Sequence, residues 1–333
     1  GNFIGKRRKY LREEMSMRSH KRILIGGLMI AVLILGILGI KSAGRFGNGP
    51  EDAAPTEQEA SGEKGQAGSE SEEPAVVNNA DKSAERMEDL TEMSEKPKGY
   101  DIVLSFAGDI CLDDSCAVMQ DYIGQGEKLE NNIAPKLLGL MRDADVCWIN
   151  NEFAYSDAGA PLENKMYTFR AEPERVSMLG EMGVDIAGLA NNHVYDFGPE
   201  AMEDTLDTLR RAGIDYVGAG RNLEEAMTPV YREIDGIKVA YVAASRAEKF
   251  QMTPQATEEE AGILRCYDTE LFLEAIRRAR READYVIALV HWGTEYSTEL
   301  EDVQVETGKE YIDAGADIVI GAHTHCLQGM EYY

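Results

Sequence analysis

The sequence predicts a layered α/β domain with mixed sheets (α+β in the arrangement of its layers), preceded by a single transmembrane helix. Hydrophobic strand-like runs alternate with helical segments through the C-terminal two-thirds of the chain, which is typical of layered α/β architectures. Asp235-Gly236 joins two of these runs as in a β-hairpin, so the sheets are expected to be mixed rather than purely parallel. An uncharged apolar run, residues 23–40, precedes all of them.

The first part of the chain predicts a membrane anchor and a tether. Residues 1–22 are basic and are expected in the cytoplasm, because positive charge stays on that side of a membrane. Residues 23–40 have the length of a transmembrane helix, whereas the apolar core of a cleaved signal peptide, the alternative, is usually about 7–15 residues. Residues 41–98 are acidic and poor in large apolar side chains, which predicts a disordered linker. We therefore expect a single-pass protein of the cell membrane with an extracellular C-terminal domain.

Residues 99–333 are long enough for one domain with its own core. They carry 19 basic and 44 acidic side chains, a net charge of −25. Nucleic acid is excluded as a partner, because binding its phosphates needs a basic surface. The chain begins with Gly and stops at Tyr333, soon after its last motif, so we expect the domain to continue past that point.

The elements of this domain follow one another in a regular order. The strand-like runs are DIVLSFAG, VCWIN, VDIAGLA, the two arms of PVYREIDGIKVAYVAAS, YVIALV and ADIVIGA. The predicted helices cover about 129–142, 173–182, Pro199 to the residue before Gly213, 268–282 and 302–314. Proline is favoured in a first helical turn, which supports a helix beginning near Pro199.

Polar side chains follow five of these runs at the point where each run ends. They are Asp109, Glu152, the Asn191-Asn192-His193 triplet, His291, and the His323 and His325 pair. In open α/β sheets the ligand site lies beyond the carboxyl ends of the strands, so these side chains are expected to meet. Carboxylates, an amide from either asparagine and imidazoles suit Mn, Fe or Zn. Two such ions lower the pKa of a bound water, which predicts hydrolysis.

The His-Thr-His motif adds a local expectation. In an extended segment, residues two apart lie on the same side of the chain. His323 and His325 are therefore predicted to reach one metal ion together, or one each of a close pair.

Five motifs in this order, GD, NNE, ANNHVYDFG, HWG and GAHTH, resemble the CapA-type poly-γ-glutamate capsule synthesis family. That family belongs to the calcineurin-like metallophosphoesterase superfamily, and the likeness covers about residues 101–333. It implies a four-layer α-β-β-α metallophosphoesterase-like sandwich for residues 99–333. The N-terminal anchor and the exported domain also fit the family.

The resemblance implies a role for each motif residue. The implied metal ligands are Asp109, Glu152 as the bridging acid, Asn192, His291, His323 and His325. His193 matches the residue that protonates the leaving group or binds the transition state, rather than a metal ligand. Asp196 either orients His193 or caps the helix that follows.

Two further residues are candidates for substrate binding. Asn191 precedes the amide ligand, and Arg170 lies in the YTFRAE segment. Arg170 either holds an anionic substrate group or pairs with Glu172 or Glu174.

One departure from the superfamily concerns the number of metal ions. The superfamily's first motif is Asp-x-His, and Cys111 stands in place of that histidine, either as a thiolate ligand or as a buried thiol. Two divalent ions are expected, or one if the first site is weak or empty. None of the five cysteines forms a CxxC pair, and the sequence predicts no disulfide connectivity.

The expected function is that of a membrane-anchored, exported metallohydrolase-like protein in the synthesis, anchoring or release of an anionic capsule or cell-wall polymer. The resemblance points to poly-γ-glutamate as that polymer, and to other capsule-synthesis membrane proteins as further partners. Two alternatives stay open at this point. One is a metal-dependent phosphoesterase, and the other is a non-catalytic component of a membrane synthesis complex.

Overall fold

The computed structural model describes residues 23–27, 102–246, 252–266 and 269–333. The predicted basic tail, the linker and most of the apolar run therefore lie outside the described residues. Strand β1, Ile23–Gly27, pairs in parallel with the first strand of the domain. No helix within the described ranges has both the length and the apolar character needed to cross a bilayer. The transmembrane helix over 23–40 stays a prediction.

The first sheet is parallel throughout, with the strand order β1-β2-β3-β6-β7. Its further strands are β2 (Ile102–Ile110), β3 (Val146–Asn151), β6 (Ile186–Gly188) and β7 (Asp215–Val217). The register of β2 against β3 shifts between Phe106 and Asp109, where Gly108 has a positive φ of 74°. This irregularity lies directly before Asp109 and changes the course of the strand near its end.

The second sheet is mixed and has the strand order β13-β12-β10-β9. Its strands are β9 (Val230–Ile234), β10 (Ile237–Ser245), β12 (Tyr285–His291) and β13 (Ile318–Ala322). Strands β9 and β10 form the predicted hairpin, and Asp235 and Gly236 both have positive φ, 50° and 77°. A type I′ turn requires positive φ at both positions, so the hairpin and the mixed sheet are confirmed.

Two short pairs of strands complete the β-structure of the described residues. Strand β4 (Ala154–Tyr155) pairs with β5 (Arg170–Ala171), and β8 (Ala219–Gly220) pairs with β11 (Gly262–Ile263). The β4–β5 pair closes the base of the polar loop between residues 156 and 169.

Each predicted helix lies where a helix or a pair of helices is found, whereas Ala117–Gly124 and Leu223–Met227 form two helices that the sequence pattern did not predict. They are α1 (Ala117–Gly124), α2 (Leu129–Asn132), α3 (Pro135–Arg142), a 3₁₀ turn (Pro173–Val176), α4 (Ser177–Met182), α5 (Gly198–Ala212), α6 (Leu223–Met227), α7 (Thr269–Glu282) and α8 (Asp302–Ala314). The predicted helix over 129–142 is two helices, because Pro135 has no N–H group to continue the first and opens the second.

Three apolar clusters arrange these elements in four layers. Consecutive residues of β3, Trp148 and Ile149, face opposite sides of the first sheet, Trp148 towards the second sheet and Ile149 towards the helices. The cluster between the sheets includes Ile102, Leu104, Phe106, Trp148 and Ile186 from one sheet and Val239, Tyr241, Ile287 and Leu289 from the other. A second cluster packs helices α1 to α5 on the first sheet, and a third packs α7 and α8 on the second. The order of layers is therefore helices, sheet, sheet, helices.

The cluster between the sheets predicts a large loss of stability when it is truncated. Leu289→Ala should lower the free energy of unfolding by about 2–5 kcal/mol, because Leu289 is 1% exposed and its removal leaves a cavity. Leu300→Ala removes the same atoms from a side chain that is 43% exposed, and should change stability by less than about 0.5 kcal/mol. Urea unfolding of the full chain measures both values, and equal effects would contradict the packing of the two sheets.

Candidate metal centre

The carboxyl ends of strands from both sheets meet at one edge of the molecule. Asp109 lies next to the last residue of β2, and Glu152 follows β3 directly. His291 is the last residue of β12, and His323 follows β13. The segment after β6 carries Asn192 four residues past the strand. Strands far apart in sequence thus deliver their polar ends to one place, as the sequence pattern predicts.

Two groups of donor atoms at this edge are close enough to hold a metal ion. One consists of Glu152, His291 and His323, and the other of Asp109, Glu152 and His325. Within each group the ligand atoms all lie within 4.8 Å of one another. Glu152 belongs to both groups, which gives it the place of a bridging carboxylate.

Individual distances show how tightly the centre is built. His291 Nε2 lies 3.2 Å from Glu152 Oε1 and 3.1 Å from His323 Nδ1. His325 Nδ1 lies 3.3 Å from Asp109 Oδ2. These contacts between donor atoms connect both sheets through side chains alone.

Asparagine side chains extend the centre on one side. Asn192 Oδ1 lies 2.8 Å from His291 Nε2, so the predicted amide ligand is within reach of the same position. Asn150, which sequence reasoning did not single out, donates to Asp109 Oδ1 at 2.7 Å and also lies 3.2 Å from His291 Nδ1. The NNE motif did contain a signal, because residues two apart on a strand lie on the same face and Glu152 therefore points to Asn150 rather than Asn151.

The Asn191 side chain lies beside these residues, and its hydrogen bonds go to the backbone of the loop and to Asn150. Its side-chain oxygen accepts hydrogen bonds from the backbone N–H groups of His193 and Val194 at 3.0 and 2.9 Å. Its amide nitrogen donates to Asn150 Oδ1 and to the carbonyl oxygen of Asn151. Because Asn191 is fully buried, this geometry favours a structural role over the predicted contact with substrate.

The His-Thr-His segment differs from the prediction in its backbone. His323 has a φ of 91° and His325 a φ of 51°, so the segment is a left-handed bend rather than an extended strand. The expectation of two rings on one side of an extended chain is therefore wrong. Both rings still reach the centre, and the His323 N–H donates to Asp109 Oδ2 at 3.1 Å. Positive φ is costly for residues with side chains and is concentrated at functional sites.

His193 lies next to this centre in a separate hydrogen-bonded arrangement. Its Nδ1 is 2.7 Å from Asp196 Oδ2, and its ring packs against Phe169. Asp196 is fully buried and also accepts hydrogen bonds from the Phe169 N–H and from Lys165 Nζ. An acceptor so placed requires Nδ1 of His193 to donate, which leaves Nε2 free.

The contacts of Asp196 bear on the two roles considered for it. Its Oδ2 lies 2.7 Å from His193 Nδ1, whereas the helix that follows has Phe197 at its N-cap position, with no side-chain cap. These contacts favour the role of orienting His193, which stays a prediction.

Lys165 is a functional candidate that the sequence did not reveal. Its Nζ donates to the carbonyl oxygen of Asn192 and to Asp196 Oδ1, and the ion pair is largely buried. Lys165 lies in the polar loop between β4 and β5, where a lysine carries no signal of a buried contact. The residue connects that loop to the segment that holds Asn192 and His193.

Arg170 is exposed on β5, one residue after Phe169, whose ring packs against His193. Its backbone N–H donates to Asp113 Oδ2 at 2.8 Å, and its guanidinium lies 4.5 Å from the centre of the Phe197 ring. Among the described residues it forms no ion pair with Glu172 or Glu174. The exposed cation is therefore available to an anionic ligand.

Cys111 does not take the place of the histidine that it replaces. It belongs to neither donor group, and its Sγ lies 3.7 Å from Cys116 Sγ. The hydrogen bond to Cys116 and burial raise the pKa of Cys111 far above its usual range. The same hydrogen bond lowers the pKa of Cys116. The Cys111 thiol thus keeps its proton, which does not favour it as a thiolate ligand.

Burial and neighbouring charges shift the pKa of each titratable side chain among the proposed ligands at this edge. Burial would raise the pKa of Asp109, but the hydrogen bond with His325 and the charges of both neighbouring histidines lower it to about 2. Burial lowers the pKa of His291 to about 4 and that of His323 to about 3. At neutral pH, Asp109 is an anion and these two rings are neutral.

The side chains of Glu152 and His325 are protonated at neutral pH. Burial and the charge of Asp109 raise the pKa of Glu152 to about 8. The hydrogen bond to Asp109 raises the pKa of His325 to about 9. Glu152 Oε1 is buried without a hydrogen bond, since its approach to His291 Nε2 does not have hydrogen-bond geometry. A buried carboxylate oxygen with no donor is a suitable place for a cation.

A cavity of about 360 Å³ opens beside the centre. Asp109, Glu152, His323 and His325 line one end of it. The rest of the wall is mainly apolar and comes from helices α1 to α4 and from the segment after His325. The polar end of the cavity gives a small molecule or a polymer end access to the donor groups.

Comparison with known proteins places these motifs in a family. The sequence model described as "Bacterial capsule synthesis protein PGA_cap" matches residues 103–333. The capsule biosynthesis protein CapA of Bacillus anthracis is 35% identical over 167 residues, which cover 49% of this chain and 40% of that protein. The PGA biosynthesis protein CapA of Bacillus subtilis (strain 168) is 32% identical over 171 residues, 51% of this chain and 44% of that protein. The chain thus spans less than half the length of either relative.

Solved structures show a weaker likeness. A hypothetical protein from Thermus thermophilus has a TM-score of 0.37 and 19% identity, over 66% of this chain and 67% of that one. The NAD nucleotidase of Haemophilus influenzae has a TM-score of 0.31 and 13% identity, over 48% of this chain and 27% of that one. Both scores are below 0.5, so the likeness in fold is slight. The family model, in contrast, covers more than half of the chain together with all five motifs, and the protein therefore belongs to the bacterial capsule synthesis family PGA_cap.

Proposed function

We propose that the protein is an exported, membrane-anchored, metal-dependent hydrolase of the metallophosphoesterase type, acting on poly-γ-glutamate or a similar anionic capsule polymer. The proposal depends on one observation, the convergence of Asp109, Glu152, His291, His323 and His325 into two overlapping donor groups. The names of the two Bacillus relatives, a capsule and a PGA biosynthesis protein, support the choice of polymer. Capsule-synthesis proteins of the membrane are the proposed partners.

The residues present fit a divalent transition metal. Carboxylate and imidazole donors in one site suit Mn, Fe or Zn. The buried Glu152 Oε1 without a hydrogen bond supports this choice, because a cation would satisfy it. Glu152, His291 and His323 would hold one ion, with Asn192 in reach, and Asp109, Glu152 and His325 would hold a second. Such ions supply Lewis-acid activation of water and of the bond to be cleaved.

His193 is proposed as the general acid. Its Nδ1 donates to Asp196, so its Nε2 can carry the proton that a leaving group needs. Asp196 holds the ring in that orientation, and Lys165 holds Asp196 together with the backbone of Asn192. The side chains of Asp196 and Lys165 thus keep one proton donor in place beside the proposed metal ligands.

Charge limits how an anionic polymer can approach. The domain carries a net charge of −25, which repels a polyanion at long range. Binding then needs local positive charge, and the bound cations and the exposed Arg170 supply it. We propose that Arg170 contacts a carboxylate of the polymer near the cleaved bond.

Substitution of two histidines should separate the proton donor from the metal ligands. His193→Ala should lower turnover of poly-γ-glutamate by roughly 10²–10⁴-fold, the range for loss of a general acid, with metal content unchanged. His323→Ala should remove metal and activity together, because its imidazole belongs to a donor group. Metal analysis and release of glutamyl fragments by the full chain are the measurements.

Three other outcomes of that experiment would contradict the acid role of His193 or identify one of the alternative functions. Loss of metal in His193→Ala would contradict its role as acid. Cleavage of a phosphodiester but not of the polymer would identify a phosphoesterase. Protein that binds no divalent ion and cleaves neither substrate would be the non-catalytic component of a synthesis complex.

Metal binding should release protons, because two of the proposed ligands hold a proton in the free protein. Glu152 and His325 have raised pKa values of about 8 and about 9, so a cation competes with their protons at neutral pH. Binding of one ion by Glu152, His291 and His323 should release about one proton at pH 7, and filling both donor groups should release about two. Metal affinity should rise with pH, by about tenfold per pH unit for each proton displaced. The contribution of Glu152 should level off above about pH 8 and that of His325 above about pH 9. Calorimetry in buffers of different ionisation enthalpy measures this release.

Glu152→Gln provides the control for the proton count. The variant keeps the shape of the side chain and removes its titration, so proton release should fall by about one. Affinity that falls as the pH rises from 6 to 8, or binding without proton release, would contradict the proposed ligands.

Arg170→Met should weaken binding of the polymer without changing the chemistry. We expect KM for poly-γ-glutamate to rise about two- to fivefold with kcat unchanged, since one exposed ion pair contributes up to about 1 kcal/mol. Arg277→Met removes the same charge from an exposed position on α7, which packs on the outer face of the second sheet. Steady-state kinetics should leave this control unchanged. Equal effects in both variants would show that only net charge matters.

A further inference from the structure

Two thiols meet in the turn between β2 and α1. Cys111 directly follows β2, and Cys116 is the N-cap residue of α1. Their Sγ atoms are 3.7 Å apart, which is contact distance for two sulfur atoms. A disulfide requires about 2.05 Å, so the atoms need to approach by only about 1.7 Å, the scale of a side-chain rotation.

The backbone of the turn holds the two residues in this arrangement. The Cys116 N–H donates to the carbonyl oxygen of Asp113 at 2.9 Å. Asp113 is itself buried, and its carboxylate accepts hydrogen bonds from the backbone N–H groups of Ser115 and Arg170, at 2.7 and 2.8 Å. The turn is thus fixed from within and also by β5. The approach of the thiols is a property of the fold rather than of two free side chains.

Access distinguishes this pair from the other cysteines. Cys111 and Cys116 are half-buried and line the cavity beside the donor groups, where a small reagent can reach them. Cys147 and Cys266 are 0% and 1% exposed. Cys326 lines the same cavity, but its thiol donates to the carbonyl oxygen of Ser297 at 3.1 Å.

We propose that Cys111 and Cys116 form a reversible disulfide, a modification site at the wall of the cavity. The oxidant is a disulfide, either a small molecule or an oxidoreductase. The Cys116 thiolate attacks one sulfur of that disulfide, forms a mixed disulfide and releases the first thiol. Once Cys116 is in the mixed disulfide, Cys111 no longer hydrogen-bonds to its thiolate; the Cys111 thiol then attacks the Cys116 sulfur, and its proton passes to the second thiolate as that thiolate leaves. Two cysteine thiols are oxidised, one external disulfide is reduced to two thiols, and the two protons pass to the leaving thiolates.

The bridge would fix the wall of the cavity next to Asp109. Cys111 lies two residues from Asp109, and Cys116 begins the helix that carries Met119 and Tyr122 into the same wall. Oxidation would join the end of β2 to the start of α1 covalently. It would also remove the Cys111 thiol from the neighbourhood of the proposed metal ligands. The disulfide does not depend on the proposed hydrolase activity.

The chain offers a direct test by peptide mass. Trypsin cleaves after Lys98 and Lys128, and the peptide 99–128 contains Cys111 and Cys116 and no other cysteine. The full chain is treated with oxidised glutathione, blocked with iodoacetamide and digested. We expect this peptide without alkyl groups and lighter than the dithiol form by two hydrogen atoms. Treatment with dithiothreitol before blocking should give two alkyl groups.

Two variants test whether the bridge joins Cys111 to Cys116. Cys116→Ser should leave Cys111 open to alkylation or to glutathione, whereas Cys326→Ser, in the same cavity wall, should keep the bridge. Oxidation should also raise the melting temperature of the native chain by a few degrees, and this rise should be absent in Cys116→Ser. Two alkyl groups after oxidation of the native chain, glutathione retained on Cys116 without ring closure, or a link to the Cys326 peptide would each overturn the proposal.

Discussion

The packing of the two sheets against each other is the constraint on which the candidate site depends. Trp148 and Ile186 of the first sheet pack in one apolar cluster with Tyr241 and Leu289 of the second. Because β2, β3, β12 and β13 all end at the same edge, this packing also fixes the distance between their polar ends. No single strand or loop could assemble the site. The sequence places oxygen and nitrogen donors at the ends of these strands. The apolar interface between the sheets then sets the distances between those donors.

The charges at this edge balance without a cation. Asp109 is anionic, its partner His325 is protonated, and Glu152 keeps its proton, while His291 and His323 are neutral. The buried cluster is therefore close to neutral, as the low-dielectric interior requires. A divalent ion would take the place of these protons and leave the burial of the site unchanged. The retained proton explains how an acid as deeply buried as Glu152 is tolerated in a domain of such high negative charge.

The sequence predicted those parts of the structure that depend on local pattern. The Asp235-Gly236 hairpin, the bounds of α8 and the delivery of polar residues to strand ends all follow from periodicity and turn chemistry. What escaped prediction depends on contacts between distant segments. Nothing near Lys165 in the chain indicates that it reaches Asp196. The left-handed bend at His323 is accompanied by a hydrogen bond from its N–H to Asp109, more than two hundred residues away. Pro135 is the opposite case, because the break between the two helices follows from a local property of proline, its missing N–H group.

The sharing of Glu152 between two donor groups has a consequence for how they would fill. Both groups need the same carboxylate in its ionised form, and its proton is lost only once. If both proposed sites fill, the first ion to bind would bear the whole cost of that deprotonation and of fixing the side chain, so the second would find the carboxylate already ionised and in place. This linkage favours cooperative loading, and it is opposed by the repulsion between two cations about 4 Å apart. The shape of a binding isotherm, rather than its midpoint, would report which of the two effects prevails.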